Sequence, residues 1–281
     1  MHDLNLDPQT RALLQNLVAR KRLREAEEQK LQGVAEKLKA SLFDRQLEFF
    51  ESDRRKKLAR CSRRAGKTHL SAVILLCAAI QYPGSLVPYI TLSMKNARRI
   101  LWTTLHQLDV EFGVGLEFRA NDLTATLSNG SSIILAGATD YEEIQKLRGP
   151  KYGAVVLDEV QSMKTSVCRT LVADILEPAT MDYDGTICAF FTPSASASGY
   201  AFDIDHTEDA WQRFHWTMLE NPHLPKAKEW LEERKHENGW NEETPVYRRE
   251  YLGEWIHDTE TLVYSFDHRR NTCDPLLDGL L

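Results

Sequence analysis

A glycine-lysine-threonine turn at the end of one apolar strand, and paired carboxylates at the end of another, restrict this chain to very few folds. The first is Cys61-Ser62-Arg63-Arg64-Ala65-Gly66-Lys67-Thr68, and the second is Val155-Val156-Leu157-Asp158-Glu159. The first has the G-x-x-x-x-G-K-[ST] spacing of a Walker A loop, with Cys61 in place of the leading glycine. Successive backbone N–H groups in such a loop point at phosphate oxygens, and the helix that follows adds its positive end. Ser62 to Thr68 therefore form the candidate phosphate-binding set. Gly66 leaves room for the backbone to approach, Lys67 reaches the β/γ oxygens, and Thr68 offers its hydroxyl to Mg²⁺. In the second segment, Asp158 is placed to hold Mg²⁺ and Glu159 to orient the attacking water. Either segment alone has a plain alternative, a chance helix start or a strand running into acidic surface. Together, in this order and each at a strand end, they predict hydrolysis of a nucleoside triphosphate. No Asn-Lys-x-Asp motif for reading guanine occurs in the chain.

The rest of the chain supplies the sheet that such motifs need. Strands are expected at residues 57–62, 87–93, 154–157 and 186–191, interleaved with helices at 68–80, 95–110 and 165–176. That alternation predicts a mostly parallel sheet covered on both faces. Asn129-Gly130 between two short apolar runs is a hairpin signal. Residues 226–236 and 245–252 read as a small helical lid. Residues 8–40 read as one long helix, whose Leu13, Leu17, Leu31, Val34 and Leu38 form an incomplete apolar stripe around a charged middle. It is expected to pack on the core at both ends, or else to dock a partner subunit. The boundaries predicted are 1–41 for this extension, 42–219 for the ATPase core, 220–256 for the lid and 257–281 for a linker.

Other residues suit the same pocket. Phe43 and Gln46 precede the loop, where an amide can pair with adenine and a ring can cover it, or where both can simply belong to a packed helix. Arg63 and Arg64 lie inside the loop; one can contact a γ-phosphate in cis and the other can be solvated. Thr192-Pro193-Ser194 caps the strand at 186–191, putting hydroxyls near a γ-phosphate or merely making a polar exit. Composition excludes a few classes. A net charge of −6 argues against a protein that coats DNA, though not against one that touches phosphates locally. The basic cluster Arg54 to Lys57 is open between a solvated turn, a DNA contact and a neighbour contact. Five cysteines without a C-x-x-C suit a reducing compartment, and nine histidines show no metal-ligand spacing. No apolar stretch reaches membrane-spanning length.

An arginine-bearing, glycine-poor Walker A, an upstream Phe-x-x-Gln, a Walker B with adjacent glutamate, and Thr-Pro-Ser resemble the large terminase subunit of tailed bacteriophages. The resemblance runs from Leu42 to Trp255. It includes Asn129-Gly130-Ser131, the Leu147-Arg148-Gly149 turn, and the Tyr247-to-Trp255 segment that is similar to the close of that family's ATPase domain. It implies a RecA-like (ASCE) P-loop fold, with ATP and Mg²⁺ as cofactors, and a motor that drives double-stranded DNA through a portal into a prohead. Lys67, Thr68, Asp158 and Glu159 would carry the roles above, Arg63 would match the Walker A arginine, Phe43 and Gln46 the adenine motif, and Thr192 to Ser194 the coupling motif. A neighbour's arginine finger is also implied, with Arg148 and Arg119 as candidates. The partners implied are a small terminase subunit and further copies in a ring. The expected setting is the cytoplasm of an infected bacterium, transiently on the prohead. Large terminases also carry a nuclease domain, for which residues 257–281 leave no room, so an isolated ATPase domain, truncated or from a split gene, is expected. Two other classes remain open: a different RecA-like translocase or helicase, and an assembly module without significant turnover.

Overall fold

Strands β6 (Ala154–Asp158) and β7 (Thr186–Phe191) dictate the layering, because both are apolar on both sides. In β6, Ala154 and Val156 enter one hydrophobic cluster while Val155 and Leu157 enter another. In β7, Cys188 and Phe190 join the first, and Ile187, Ala189 and Phe191 join the second. Successive strand side chains point to opposite faces, so strands of this composition need cover on both. A computed structural model describes residues 8–256 and shows that cover. The readings made for residues 257–281 lie outside the described residues.

The remaining strands are β1 (Lys56–Cys61), β2 (Leu86–Thr91), β3 (Glu117–Arg119), β4 (Thr124–Thr126), β5 (Ser132–Gly137) and β8 (Gln212–Trp216). All eight form one sheet in the order β3-β4-β5-β2-β6-β7-β1-β8. Every pairing from β5 to β8 is parallel, whereas β3 and β4 add an antiparallel margin. The expected parallel α/β fold is therefore present, with two strands, β3 and β8, that were not among those expected. Both are short, lie at the sheet's margins, and are largely exposed.

On the first face lie α1 (Pro8–Ala40), α2 (Asp44–Glu51), α3 (Lys67–Gln81) and the helical stretch 94–112, whose middle, Arg98–Trp102, is π-helical. On the second lie residues 165–180 and the helix Tyr200–His206. The hairpin turn does more than reverse the chain. Asn129 Nδ2 donates to the carbonyl of Ala79 at 2.9 Å and Ser131 Oγ donates to the same oxygen at 2.6 Å, so the turn caps the end of α3. A separate small cluster of Met218, Ala227, Leu231 and Tyr247 holds together the helices Ala227–Asn238 and Pro245–Leu252.

Two expectations need correction. Helix α1 packs only through its last third: Leu31, Val34 and Leu38 are buried, but Leu13 and Leu17 stand in solvent. The stripe has the same chemistry at both ends, and the body of the protein covers only one of them. The basic cluster is not uniformly solvated. Lys57 is buried, and its ammonium donates to the carbonyls of Phe49, Phe50 and Ser52 at 3.0, 3.3 and 3.1 Å, capping α2, while Lys56 pairs with Glu177 at 2.8 Å.

Candidate active site

The loop after β1 is built as a preformed cradle. Arg64 and Gly66 adopt positive φ, 62° and 81°, which turns the chain back before α3 begins. Gly66 is required here, since a Cβ would stand 2.6 Å from Gln46 Nε2. Three successive loop carbonyls are each held by a side chain from another segment. Asn221 Nδ2 donates to Arg64 O at 2.9 Å, Trp216 Nε1 to Ala65 O at 2.8 Å, and Gln46 Nε2 to Gly66 O at 2.9 Å. Ser62 Oγ accepts from the Met218 N–H at 2.8 Å. Cys61 is fully buried at the strand end, where burial pushes its thiol up to about 12, so it stays a neutral, packed side chain.

The sheet order decides what meets this loop. Strand β7 lies between β1 and β6, so the residue leaving β7 stands between the lysine and the carboxylates. Lys67 Nζ accordingly donates to Thr192 Oγ1 at 3.0 Å, as well as to Ser62 O at 2.8 Å. Asp158, the last residue of β6, is almost fully buried. Its Oδ2 accepts from the Tyr89 hydroxyl at 2.6 Å and its Oδ1 from the Glu159 N–H at 2.8 Å. Burial pushes the Asp158 carboxyl above the ordinary aspartate range, against the pull of the Tyr89 hydrogen bond and the charge of Lys67. Glu159 sits in the left-handed region, with φ 54° and ψ 39°, a conformation uncommon outside glycine and enriched at functional sites. Its carboxyl is also raised, first by burial and then by the charge of Asp158, while Arg99, Lys67 and Arg63 pull it down.

These groups open onto one cavity of about 660 Å³ at the C-terminal ends of the strands, where ligands bind in open α/β sheets. Arg63, Arg64, Lys67, Asp158, Glu159 and Thr192 to Ser194 all line it. A second cavity of about 630 Å³ shares Arg63 and Arg64 and is otherwise walled by Met218, Leu224, Pro225, Ala227, Trp230 and Tyr251, with His223 and Lys226 among them. The first carries acids and bases together; the second is mainly apolar, with basic groups and no carboxylate.

Some predicted residues stand elsewhere. Gln46 is buried against Gly66 and also accepts from the Phe43 N–H at 3.4 Å, so its amide is engaged by protein on both sides. Neither it nor Phe43 lines either cavity. Arg148 reaches Gln145 and the carbonyl of Asp174, and Arg119 reaches Glu117; these arginines do not line the cavities either. Conversely, Tyr89, Arg99, Arg249 and Glu250 belong to the site and were not singled out from the sequence. A tyrosine pointing at a strand-end aspartate has no local signature. Arg99 had none either: it sits in the helical stretch that follows β2, a strand next to the Walker B strand, and reads as an ordinary helix-surface cation.

The family model described as terminase large subunit, T4likevirus-type, N-terminal, matches residues 59–269. No curated protein sequence matches. Among solved structures, the large terminase of a thermophilic bacteriophage, in complex with ADP, superposes with a TM-score of 0.62 at 20% identity, covering 76% of this chain and 54% of that one. The large terminase ATPase domain of Thermus phage P74-26 does so with a TM-score of 0.55 at 18% identity, covering 77% and 94%. The HK97 bacteriophage large terminase gives 0.58 at 14% identity, covering 76% and 50%. The chain thus spans about half the length of the first and third of these proteins and nearly all of the P74-26 ATPase domain. The family model covers most of the length of this chain, whose mostly parallel sheet and strand-end cavity are described above, and the chain belongs to the terminase large subunits.

Proposed function

We propose that this chain is the Mg²⁺-dependent, ATP-hydrolysing motor domain of a terminase that drives double-stranded DNA into a prohead. The observation that carries the reading is the convergence of Lys67, Thr192, Asp158 and Glu159 on one cavity beside the phosphate loop. ATP would span both cavities, its phosphates among the charged groups and its adenine against Trp230 and Tyr251, with Arg63 and Arg64 at the boundary. In this arrangement Gln46 acts as a buttress of Gly66, and the half-exposed ring of Trp230 supplies the flat apolar surface for the base.

The donors present suit Mg²⁺. Asp158 is a buried carboxylate with few hydrogen-bond partners, as expected of a group that meets a cation in the working state. Among the described residues no three metal-ligating side chains converge, which suits an ion that arrives with the phosphates. Thr68 and Asp158 would hold it, and when bound it neutralises charge on the β/γ oxygens. Lys67 adds its own positive charge there, and Thr192 fixes where that ammonium sits. Glu159 orients and polarises water; its raised pKa makes it a better proton acceptor than an ordinary glutamate. Arg63 or Arg64 offers positive charge in cis. Arg148, exposed on a turn, is the first candidate for an arginine acting on a neighbouring subunit, and Arg119 the second. If Arg148 acts in trans, Arg148→Ala subunits mixed with Glu159→Gln subunits regain turnover; an inactive mixture contradicts that role.

The division proposed is a core at 42–219, a lid at 220–256 that moves during turnover, and an N-terminal extension at 1–41. The partners proposed are DNA, a portal-bearing prohead, a small terminase subunit and further copies in a ring, in the cytoplasm of an infected bacterium. The deciding experiment measures phosphate release with and without portal-bearing proheads and double-stranded DNA. The packaging reading requires a rise with both present. Equal rates contradict it, and stimulation by free single strands alone points to a helicase.

A further inference from the structure

Tyr89 owes its place beside the site to strand register. On β2 it lies opposite Val156 of β6 on one side and Leu135 of β5 on the other, both in parallel pairing. Val156 and Asp158 share a face of β6, because side chains two apart on a strand point the same way. An aromatic ring opposite Val156 is long enough to reach along that face to Asp158. The Tyr89 ring is fully buried in the first hydrophobic cluster, and its hydroxyl donates to Asp158 Oδ2 at 2.6 Å. A buried tyrosine hydroxyl needs an acceptor, but a backbone carbonyl would serve. Tyr152, equally buried, takes that course and donates to the carbonyl of Leu147 at 2.7 Å. Tyr89 instead donates to the strand-end carboxylate.

The effect on Asp158 is one of orientation. The last torsion of an aspartate is broad and roughly two-fold, so the side chain alone fixes the plane of its carboxylate poorly. Here Oδ1 accepts from the Glu159 N–H at 2.8 Å and Oδ2 accepts from Tyr89, and two held oxygens define the plane. An ionised carboxylate has about four acceptor directions, so one on each oxygen is left for a cation or its water. The two donors differ in stiffness. The Glu159 N–H belongs to a left-handed turn, whereas Tyr89 stands inside the sheet between two paired neighbours. A group carried on a strand is placed more closely than one carried on a loop.

We propose that Tyr89 is a positioning residue that sets the plane of the Asp158 carboxylate and thereby favours Mg²⁺ over Ca²⁺ at the nucleotide site. This rests on the metal assignment made above and adds the cation specificity of that site. Mg²⁺ demands near-ideal octahedral geometry, while Ca²⁺ accepts more oxygens in looser arrangements. A carboxylate free to turn serves Ca²⁺ nearly as well as a fixed one, and serves Mg²⁺ worse.

The test titrates ATPγS against wild type, Tyr89→Phe, Asp158→Asn and the double variant, each in excess EDTA, in Mg²⁺ and in Ca²⁺. The ratio of affinity with a cation to affinity in EDTA is the gain that the cation brings. Tyr89→Phe keeps the ring in its cluster and removes only the hydroxyl. Affinity in EDTA should be unchanged. The Mg²⁺ gain should fall by about tenfold, the lower end of what losing a partner of a metal-binding side chain costs, and the Ca²⁺ gain by about twofold or less. In the Asp158→Asn background the hydroxyl should make no difference. Equal weakening in all three conditions is a packing effect and overturns the proposal. An undiminished Mg²⁺ gain, an equal loss for both cations, or a loss that persists without the Asp158 carboxylate overturns it as well.

A second measurement keeps the tyrosine. With 3-fluorotyrosine in place of tyrosine, the fluorine resonance of Tyr89 is identified by its displacement in Asp158→Asn. It should move when Mg²⁺ joins bound ATPγS and not when ATPγS binds in EDTA; no movement with Mg²⁺, or the same movement in EDTA, contradicts the proposal. Asp158→Asn separates the two readings. If wild type shows no Mg²⁺ gain, or Asp158→Asn keeps it, the metal assignment itself fails. If Asp158→Asn loses that gain while Tyr89→Phe keeps it, only the role of Tyr89 fails.

Discussion

The two cavities on either side of Arg63 and Arg64 are nearly equal in volume, about 660 and 630 Å³, yet their walls differ in kind. The first is made by strand ends and the phosphate loop, and carries Lys67, Asp158, Glu159 and Arg99. The second is made largely by the small helical unit, and carries Leu224, Pro225, Trp230 and Tyr251 beside the basic His223 and Lys226, with no carboxylate. Fixed charges aimed at a reacting centre accelerate chemistry, whereas apolar walls bind ground state and transition state alike. Under the proposed function, the comparison divides the roles: turnover would belong to one cavity and affinity to the other. It would also give the proposed lid its use, since a base held by a separate unit would let nucleotide turnover move that unit.

The largest effect that could break this division is at Glu159. Glu159→Gln should lower turnover by about 10²-fold or more while ATPγS binding stays near wild type, because the change keeps shape and removes the proton acceptor. Steady-state phosphate release together with equilibrium titration checks it, and near-normal turnover refutes the assignment. Thr192→Val comes next. It removes the hydroxyl that accepts from Lys67 at 3.0 Å, and hydrogen bonds to charged groups are worth enough for about a tenfold loss of turnover. A change in KM alone would move Thr192 to the binding side of the comparison.

On the apolar side, Trp230→Ala should weaken nucleotide binding by about 0.5–1.5 kcal/mol, roughly two- to tenfold, through lost stacking. Turnover at saturating ATP should hardly change. A fall in kcat at constant KM would show that the two cavities are not separate in role. The smallest effect concerns pH. Asp158 and Glu159 both have carboxyls raised in the folded protein, chiefly by burial. A group raised on folding supports the folded state below its unfolded pKa and loses that support as pH rises through the folded value. Without nucleotide, the thermal midpoint should therefore contain a component that falls as pH rises out of the ordinary carboxylate range. Asp158→Asn should flatten that component, and an unaltered slope would mean that the desolvation of Asp158 has been misjudged.

How far the sequence could be read follows the same line. The charged cavity was legible because its parts are local: the Gly66-Lys67-Thr68 turn and the Asp158-Glu159 strand end each declare themselves within a few residues. The parallel core was legible because β6 and β7 are apolar on both faces. The lid cavity was not, since Trp230 and Tyr251 meet across two helices and their spacing reads as ordinary packing. Tyr89 and Glu250 escaped for the same reason, each acting on a residue far away in the chain. Gln46 was found as part of a motif, but which atom it touches depends on the loop's fold; here it is the Gly66 carbonyl. The N-terminal helix shows the converse. Leu17 and Leu38 look alike in sequence, and only the reach of the helices beneath α1 decides that one is exposed and the other buried.

The most direct test is an experimental structure of the chain with ATPγS and Mg²⁺. The account requires the γ-phosphate between Lys67 and Glu159, the cation at Thr68 and Asp158, and the base against Trp230 and Tyr251. A nucleotide bound elsewhere, or one whose phosphates do not reach Lys67, would contradict it.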